Sequence, residues 1–179
     1  MGIKQSIMGL AVLVFTACGT DSGEDARSIV GGVYKNNSIG LTISFPSSWQ
    51  IRKDQTFGST TADIVAVAPP INNFSPNMSV IIEAHSGSVK MSEILASIKI
   101  QIDSHVADLS QYHDSIYSID GTEVGEMQYE SSTNGNLLHF LQLFFIKNGK
   151  DVSCTITDKA DDFQVNGDIR SVRASISIQ

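Results

Sequence analysis

"SIDGTEVGEMQYESSTNGNLLHFLQLFFIKNGKDVSCTIT", residues 118–157, decides the fold. Three dipeptides punctuate it, Asp120-Gly121, Asn134-Gly135 and Asn148-Gly149, fourteen residues apart. Both members of each pair accept positive φ, which a two-residue hairpin turn of type I′ requires. The flanking runs therefore predict strands at 113–119, 123–132, 137–146 and 151–157, joined as a four-stranded antiparallel meander. In the second run Gly125, Met127 and Tyr129 fall on one side, and Glu126, Gln128 and Glu130 on the other. The third, "LLHFLQLFFI", is apolar on both sides, as an interior strand covered on both faces should be. In the fourth, Val152, Cys154 and Ile156 share a face.

Upstream, the period changes. Ile94, Leu95, Ile98, Ile102, Val106 and Leu109 recur at three and four residues across 92–109. That spacing predicts an amphipathic helix laid on a sheet, with Ser92 as its cap and Glu93 in its first turn. Earlier still, "ADIVAVA" (62–68) and "MSVIIEA" (78–84) read as strands. So does "IGLTISFPSSWQI" (39–51), where Leu41, Ile43 and Phe45 alternate with Thr42 and Ser44 until Pro46 ends the run. Downstream, Ile169, Val172 and Ile176 form the stripe of a closing helix from about residue 166. Asn166 or Asp168 lies near its start, and Arg170 and Arg173 toward its end, as the helix dipole prefers. Strands, helix, four strands and helix give an α+β fold: an antiparallel sheet of about six to seven strands, including the meander, flanked by helices.

Composition bounds the function. The chain has 179 residues, 41% of them apolar, enough for one domain with a real core. Its net charge of −7, with no basic stripe, argues against nucleic acid as a partner. Anionic lipid surfaces would repel such a domain too.

The first 33 residues read differently. Lys4 precedes an apolar run at 6–17, "SIMGLAVLVFTA", too short to cross a bilayer and of signal-peptide length. It leads directly into Cys18. The arrangement resembles the bacterial lipoprotein signal, in which the cysteine becomes the first mature residue and carries the acyl chains; Phe15 stands where that signal usually has Leu. The expected organisation is a signal peptide at 1–17, lipid attachment at Cys18, a flexible Gly/Ser/Asp-rich tether at 18–33, and a folded domain at 34–179. Cys154 then has no disulfide partner.

With these elements placed, the chain resembles the Mog1p/PsbP-like family, and more narrowly its bacterial lipoprotein members. The resemblance is carried by "YKNNSIGLTISFPSSW" (34–49), "SEIL" (92–95), "GTEVGEMQY" (121–129), "FLQLFFIKNG" (140–149), "TIT" (155–157) with Phe163, and the terminal "SISI" (175–178). It implies a central antiparallel sheet flanked by helices and an accessory or binding role, as in a photosystem extrinsic subunit, a small-GTPase-binding protein and many envelope proteins. It implies no single activity.

The residues themselves carry little chemistry. There is no G-x-G-x-x-G, Walker loop, H-E-x-x-H, C-x-x-C or G-x-S-x-G. No catalytic residue, metal site or cofactor is assigned. A metal held by His105, His113 and Asp108 is the sharpest alternative to four histidines bonded locally at element edges. His139, in the interior strand, reads as a hydrogen-bonded core residue, and Cys154 as an inert buried thiol. In the loop "PPINNFSPN" (69–77), Ile71 and Phe74 are candidate partner contacts, unless both fold back onto the sheet edge. The expected function is a lipid-anchored bacterial envelope protein presenting a non-enzymatic binding domain. Its partners are the membrane, through the acyl chains, and an envelope protein. Gly19, where many inner-membrane lipoproteins have aspartate, favours the outer membrane of a Gram-negative cell. Two alternatives are a carrier of a small apolar ligand in the cleft between sheet and helix, and an envelope hydrolase.

Overall fold

The computed structural model describes residues 26–106 and 108–179. The expected signal peptide, Cys18 and the first part of the expected tether lie outside the described residues. Among the described residues the first strand opens at Arg27, inside the stretch read as tether and seven positions ahead of Tyr34.

Two antiparallel sheets form the body. The smaller contains β1 (Arg27–Val30), β2 (Val33–Asn36), β3 (Leu41–Ser44) and β11 (Ser177–Ile178), in the order β1-β2-β3-β11. The larger contains β4 (Gln50–Phe57), β5 (Thr60–Val67), β6 (Asn77–Ala84), β7 (Ser110–Ile119), β8 (Thr122–Thr133), β9 (Asn136–Lys147) and β10 (Lys150–Lys159). Its order is β4-β5-β6-β10-β9-β8-β7. The helices are α1 (Met91–His105), α2 (Ala160–Phe163) and α3 (Gly167–Ala174).

The meander is present as the turn chemistry requires. Asp120, Asn134 and Asn148 all have φ of 50°, and each is followed by a glycine at positive φ. Those turns fix the β7–β8, β8–β9 and β9–β10 pairings. β9 is interior, as its two apolar faces require. Leu141, Leu143 and Phe145 point into the core shared with the small sheet, while Leu138, Phe140 and Phe144 lie on the α1 side.

Three corrections concern sheet membership and the two ends of α1. The strand at 41–44 belongs to a second sheet, not to the main one. α1 is preceded by Lys90 as its cap residue, because Met91 is drawn into the core as the first residue of the stripe; Ser92 lies inside the first turn. Glu93 Oε2 accepts the Lys90 amide at 3.3 Å. The helix ends at His105, so Val106 and Leu109 lie beyond it, although both still pack on the same cluster. At α3, Asn166 is the cap, its side chain accepting the Asp168 amide at 3.0 Å and the Ile169 amide at 3.4 Å.

The main core fills the space between the sheets. Tyr34, Leu41 and Ile43 of the small sheet meet Ile64, Val80 and Leu141 of the large one, and Ile169 and Val172 of α3 close the side. The large sheet's other face carries α1, which rests on β8 and β7. Gly125 makes that seat possible, because a Cβ there would lie 2.7 Å from Met91 Sδ and 2.9 Å from Leu95 Cδ2. On the outer flank, Lys99 Nζ sits 4.6 Å from the centre of the Tyr112 ring.

Candidate functional site

Because α1 lies over β8 and β7, the same face of β6 and β10 is left beside the helix rather than under it. A cleft of about 270 Å³ opens there. Its floor is set by strand register. Ser153 stands opposite both Ile81 and Phe144, and Asp151 opposite both Glu83 and Ile146. Its wall is the N-terminal half of α1, with Ile94, Ser97 and Ile98, preceded by Val89. Two serines, one on each side, leave the space that larger side chains would fill.

One end of the cleft is polar. His85 Nδ1 lies 2.9 Å from Asp151 Oδ1, and the His85 amide donates to the Gly149 carbonyl at 2.9 Å. Glu83 sits directly across the ladder from Asp151. Burial raises the Glu83 pKa above the ordinary carboxyl value, and the adjacent Asp151 charge adds to the rise. Among the described residues the Glu83 carboxylate has no hydrogen-bond or ion-pair partner. Glu93 also reaches the mouth. His85 and Asp151 have the geometry of an oriented base, but among the described residues no serine or threonine hydroxyl is hydrogen-bonded to the imidazole. The cleft can hold a molecule; it does not present an activated nucleophile.

The residues singled out from sequence lie elsewhere. Ile71 and Phe74 pair with each other across Asn72 and Asn73, with N···O distances of 2.7 and 2.9 Å. They point differently: Phe74 packs on the cluster beneath α1, whereas Ile71 is 46% exposed. This small hairpin sits at the opposite end of β6 from the cleft. His105 bonds the Gln101 carbonyl at 2.9 Å, and His113 is exposed on the edge strand β7. They do not converge with Asp108; among the described residues no three metal-ligating side chains come together.

His139 faces α2 and is bonded locally. Its ring lies 4.1 Å from that of Phe163, with Gln128 Oε1 3.2 Å from Nε2. Burial holds its pKa below the ordinary value. The neighbouring Glu126 is buried and accepts from Arg173 at 2.8 Å, from Tyr117 at 2.8 Å and from Gln128, so this network fastens α3 to β8. Cys154 is a fully buried free thiol whose pKa burial pushes up to about 12, which leaves it unreactive.

The cleft between sheet and helix expected from the sequence is present beside α1. The sequence alone did not identify the cleft's residues. The β6–β10 pairing that brings Glu83 to Asp151 joins strands separated by α1 and three others, and no turn signal encodes it.

No family model and no curated protein matches this chain by sequence. Solved structures do match by shape. The solution structure of cyanobacterial PsbP (CyanoP) from Synechocystis sp. PCC 6803 superposes with a TM-score of 0.62 at 18% identity, covering 92% of this chain and 98% of that one. LpqN, described as involved in cell envelope biogenesis of Mycobacterium tuberculosis, gives a TM-score of 0.57 at 14% identity, covering 78% and 83%. At these identities the likeness concerns shape alone. Two antiparallel sheets, one helix on the outer face of the larger and a short helix closing the space between them make this the PsbP-like α+β fold.

Proposed function

We propose that this chain is a lipid-anchored bacterial envelope protein whose PsbP-like domain binds other molecules without catalysing a reaction. The observation that carries the reading is the apolar run at 6–17 that leads directly into Cys18 and a Gly/Ser/Asp-rich spacer. Acyl chains on Cys18 would hold the protein at the membrane, since two or more chains anchor stably. The tether then raises the domain's effective concentration for envelope partners nearby. Gly19 favours the outer membrane in a Gram-negative cell. Two further facts support the reading. LpqN, with the same fold, is described as acting in envelope biogenesis, and neither it nor CyanoP is named as an enzyme. Ile71, exposed at a loop tip beside the inward-turned Phe74, offers an apolar contact for a protein partner.

Metabolic labelling with a fatty-acid analogue tests the anchor. The wild type should incorporate label and Cys18→Ser should not; label retained in the variant, or absent from both, refutes the anchor. Cross-linking in intact membranes should then capture a partner whose yield falls in Ile71→Ser at unchanged domain stability.

A second reading is favoured by the cleft itself. Its volume, its mostly apolar floor and its missing nucleophile suit a carrier of a small apolar molecule.

A further inference from the structure

The carrier reading leaves the ligand's class open, and the polar end of the cleft narrows it. Three carboxylates reach the cleft, Glu83, Glu93 and Asp151, and among the described residues no lysine or arginine lines it. Lys90, the exposed cap residue between Val89 and α1, is not among the lining residues, and the lysines at the turn below are turned away by strand alternation. Lys147 and Lys150 flank the Asn148-Gly149 turn, with Lys147 Nζ bonded to Thr122 Oγ1 at 3.2 Å. The floor beside the carboxylates is apolar, with Ile81, Phe144 and Ile146 and with Ile94 and Ile98 of α1 above. Glu83 and Asp151 are directly opposed in the ladder, where like charges destabilise. His85 answers Asp151, and nothing among the described residues answers Glu83.

We propose that the cleft binds a small amphiphilic amine, with its alkyl or aryl body on the Ile81–Phe144–Ile146 floor and its ammonium group at Glu83 and Asp151. A cation there accepts hydrogen bonds from none of these groups and donates to both carboxylates, which relieves their mutual repulsion. A carboxylate ligand would add a further negative charge and be excluded, so the same charges that favour the amine reject a fatty acid.

The inference rests on the carrier reading, and the test separates the two. The full-length protein is titrated calorimetrically with octylammonium, 1-octanol and octanoate, which share one tail. The expected order is octylammonium tightest, octanol weaker, and octanoate at least tenfold weaker than octylammonium. Glu83→Gln should reduce octylammonium affinity severalfold and leave octanol unchanged, with its thermal unfolding checked against wild type. Ser97→Phe, which fills the cleft from the exposed side of α1, should abolish both. If octanol binds but octylammonium has no advantage, or keeps its affinity in Glu83→Gln, the amine assignment fails and the carrier reading stands. If none of the three binds, or Ser97→Phe leaves binding intact, the cleft is not a ligand site and both fail.

Discussion

The two faces of the large sheet are covered in different ways. One is closed by a second sheet and two short helices, and its side chains, Ile64, Val80, Leu141, Phe145 and Cys154 among them, are almost wholly buried. The other is covered by a single 15-residue helix that reaches only part of the seven strands. Where the helix stops short, β10 presents Ser153 instead of an aliphatic residue, and β6 presents Glu83. The first face holds the fold together. The second is incompletely covered, and its free part is where a binding site can exist without disturbing the core.

The sharpest way to break this contrast is to truncate one apolar residue on each face. Phe145→Ala, in the closed core, should lose about 3–5 kcal/mol in urea denaturation, because the surroundings cannot collapse into the void. Ile81→Ala, already beside open space, should lose less than about 1.5 kcal/mol. Equal losses would mean that the two faces are packed alike. The seat of α1 is tested next. Gly125→Leu forces side-chain atoms against Met91 and Leu95 and should cost about 1–3 kcal/mol, read from the same denaturation curve.

A smaller effect follows from acid. His139 is held neutral by burial, so the unfolded chain takes up its proton first as pH falls. Its contribution is therefore intact above the unfolded value of about 6.5 and is lost progressively as pH drops below it. Glu83 and Asp158, whose pKa values burial raises, act in the opposite sense by favouring the folded state as they protonate. The difference in stability between wild type and His139→Gln isolates the histidine, and should drift against the wild type between about pH 7 and about pH 5. A flat difference would show that His139 titrates alike in both states. The smallest expected change is Ser97→Leu, which projects into the cleft and should alter stability by no more than about 0.5 kcal/mol. A large loss there would mean that the space is not free.

Much of this architecture is legible in the residues, and the reason is local. Each Asn-Gly or Asp-Gly pair fixes a turn, and each turn fixes the register of the strands beside it. The amphipathic stripe of α1 and the two-sided apolar run of β9 are likewise short-range patterns. What escaped reading was polar or distant. β4, "QIRKDQTF", is an edge strand with little apolar alternation, so it lacks the usual signal. β1 starts within a polar stretch and is held by Arg27, whose guanidinium meets Asp54 at 2.7 Å and Asp63 at 2.9 Å. Tyr34 also bonds Asp63, so one carboxylate ties two strands of the small sheet to the large one. Ile71 and Phe74 were legible as a pair in one loop. That one faces inward and the other outward depends on the cluster under α1, which the loop alone does not encode. The cleft depends on the pairing of β6 with β10, which no hairpin dictates.

The pairing of β11 with β3 bears on how the chain assembles. Ser177 meets Thr42, and the Gln179 amide reaches the Gly40 carbonyl at 3.0 Å, across almost the whole sequence. The hairpins can zip within microseconds of becoming available, while this last seam must await a very long loop closure. Until that seam closes, the meander can be complete while the flank between the two sheets stays unsealed.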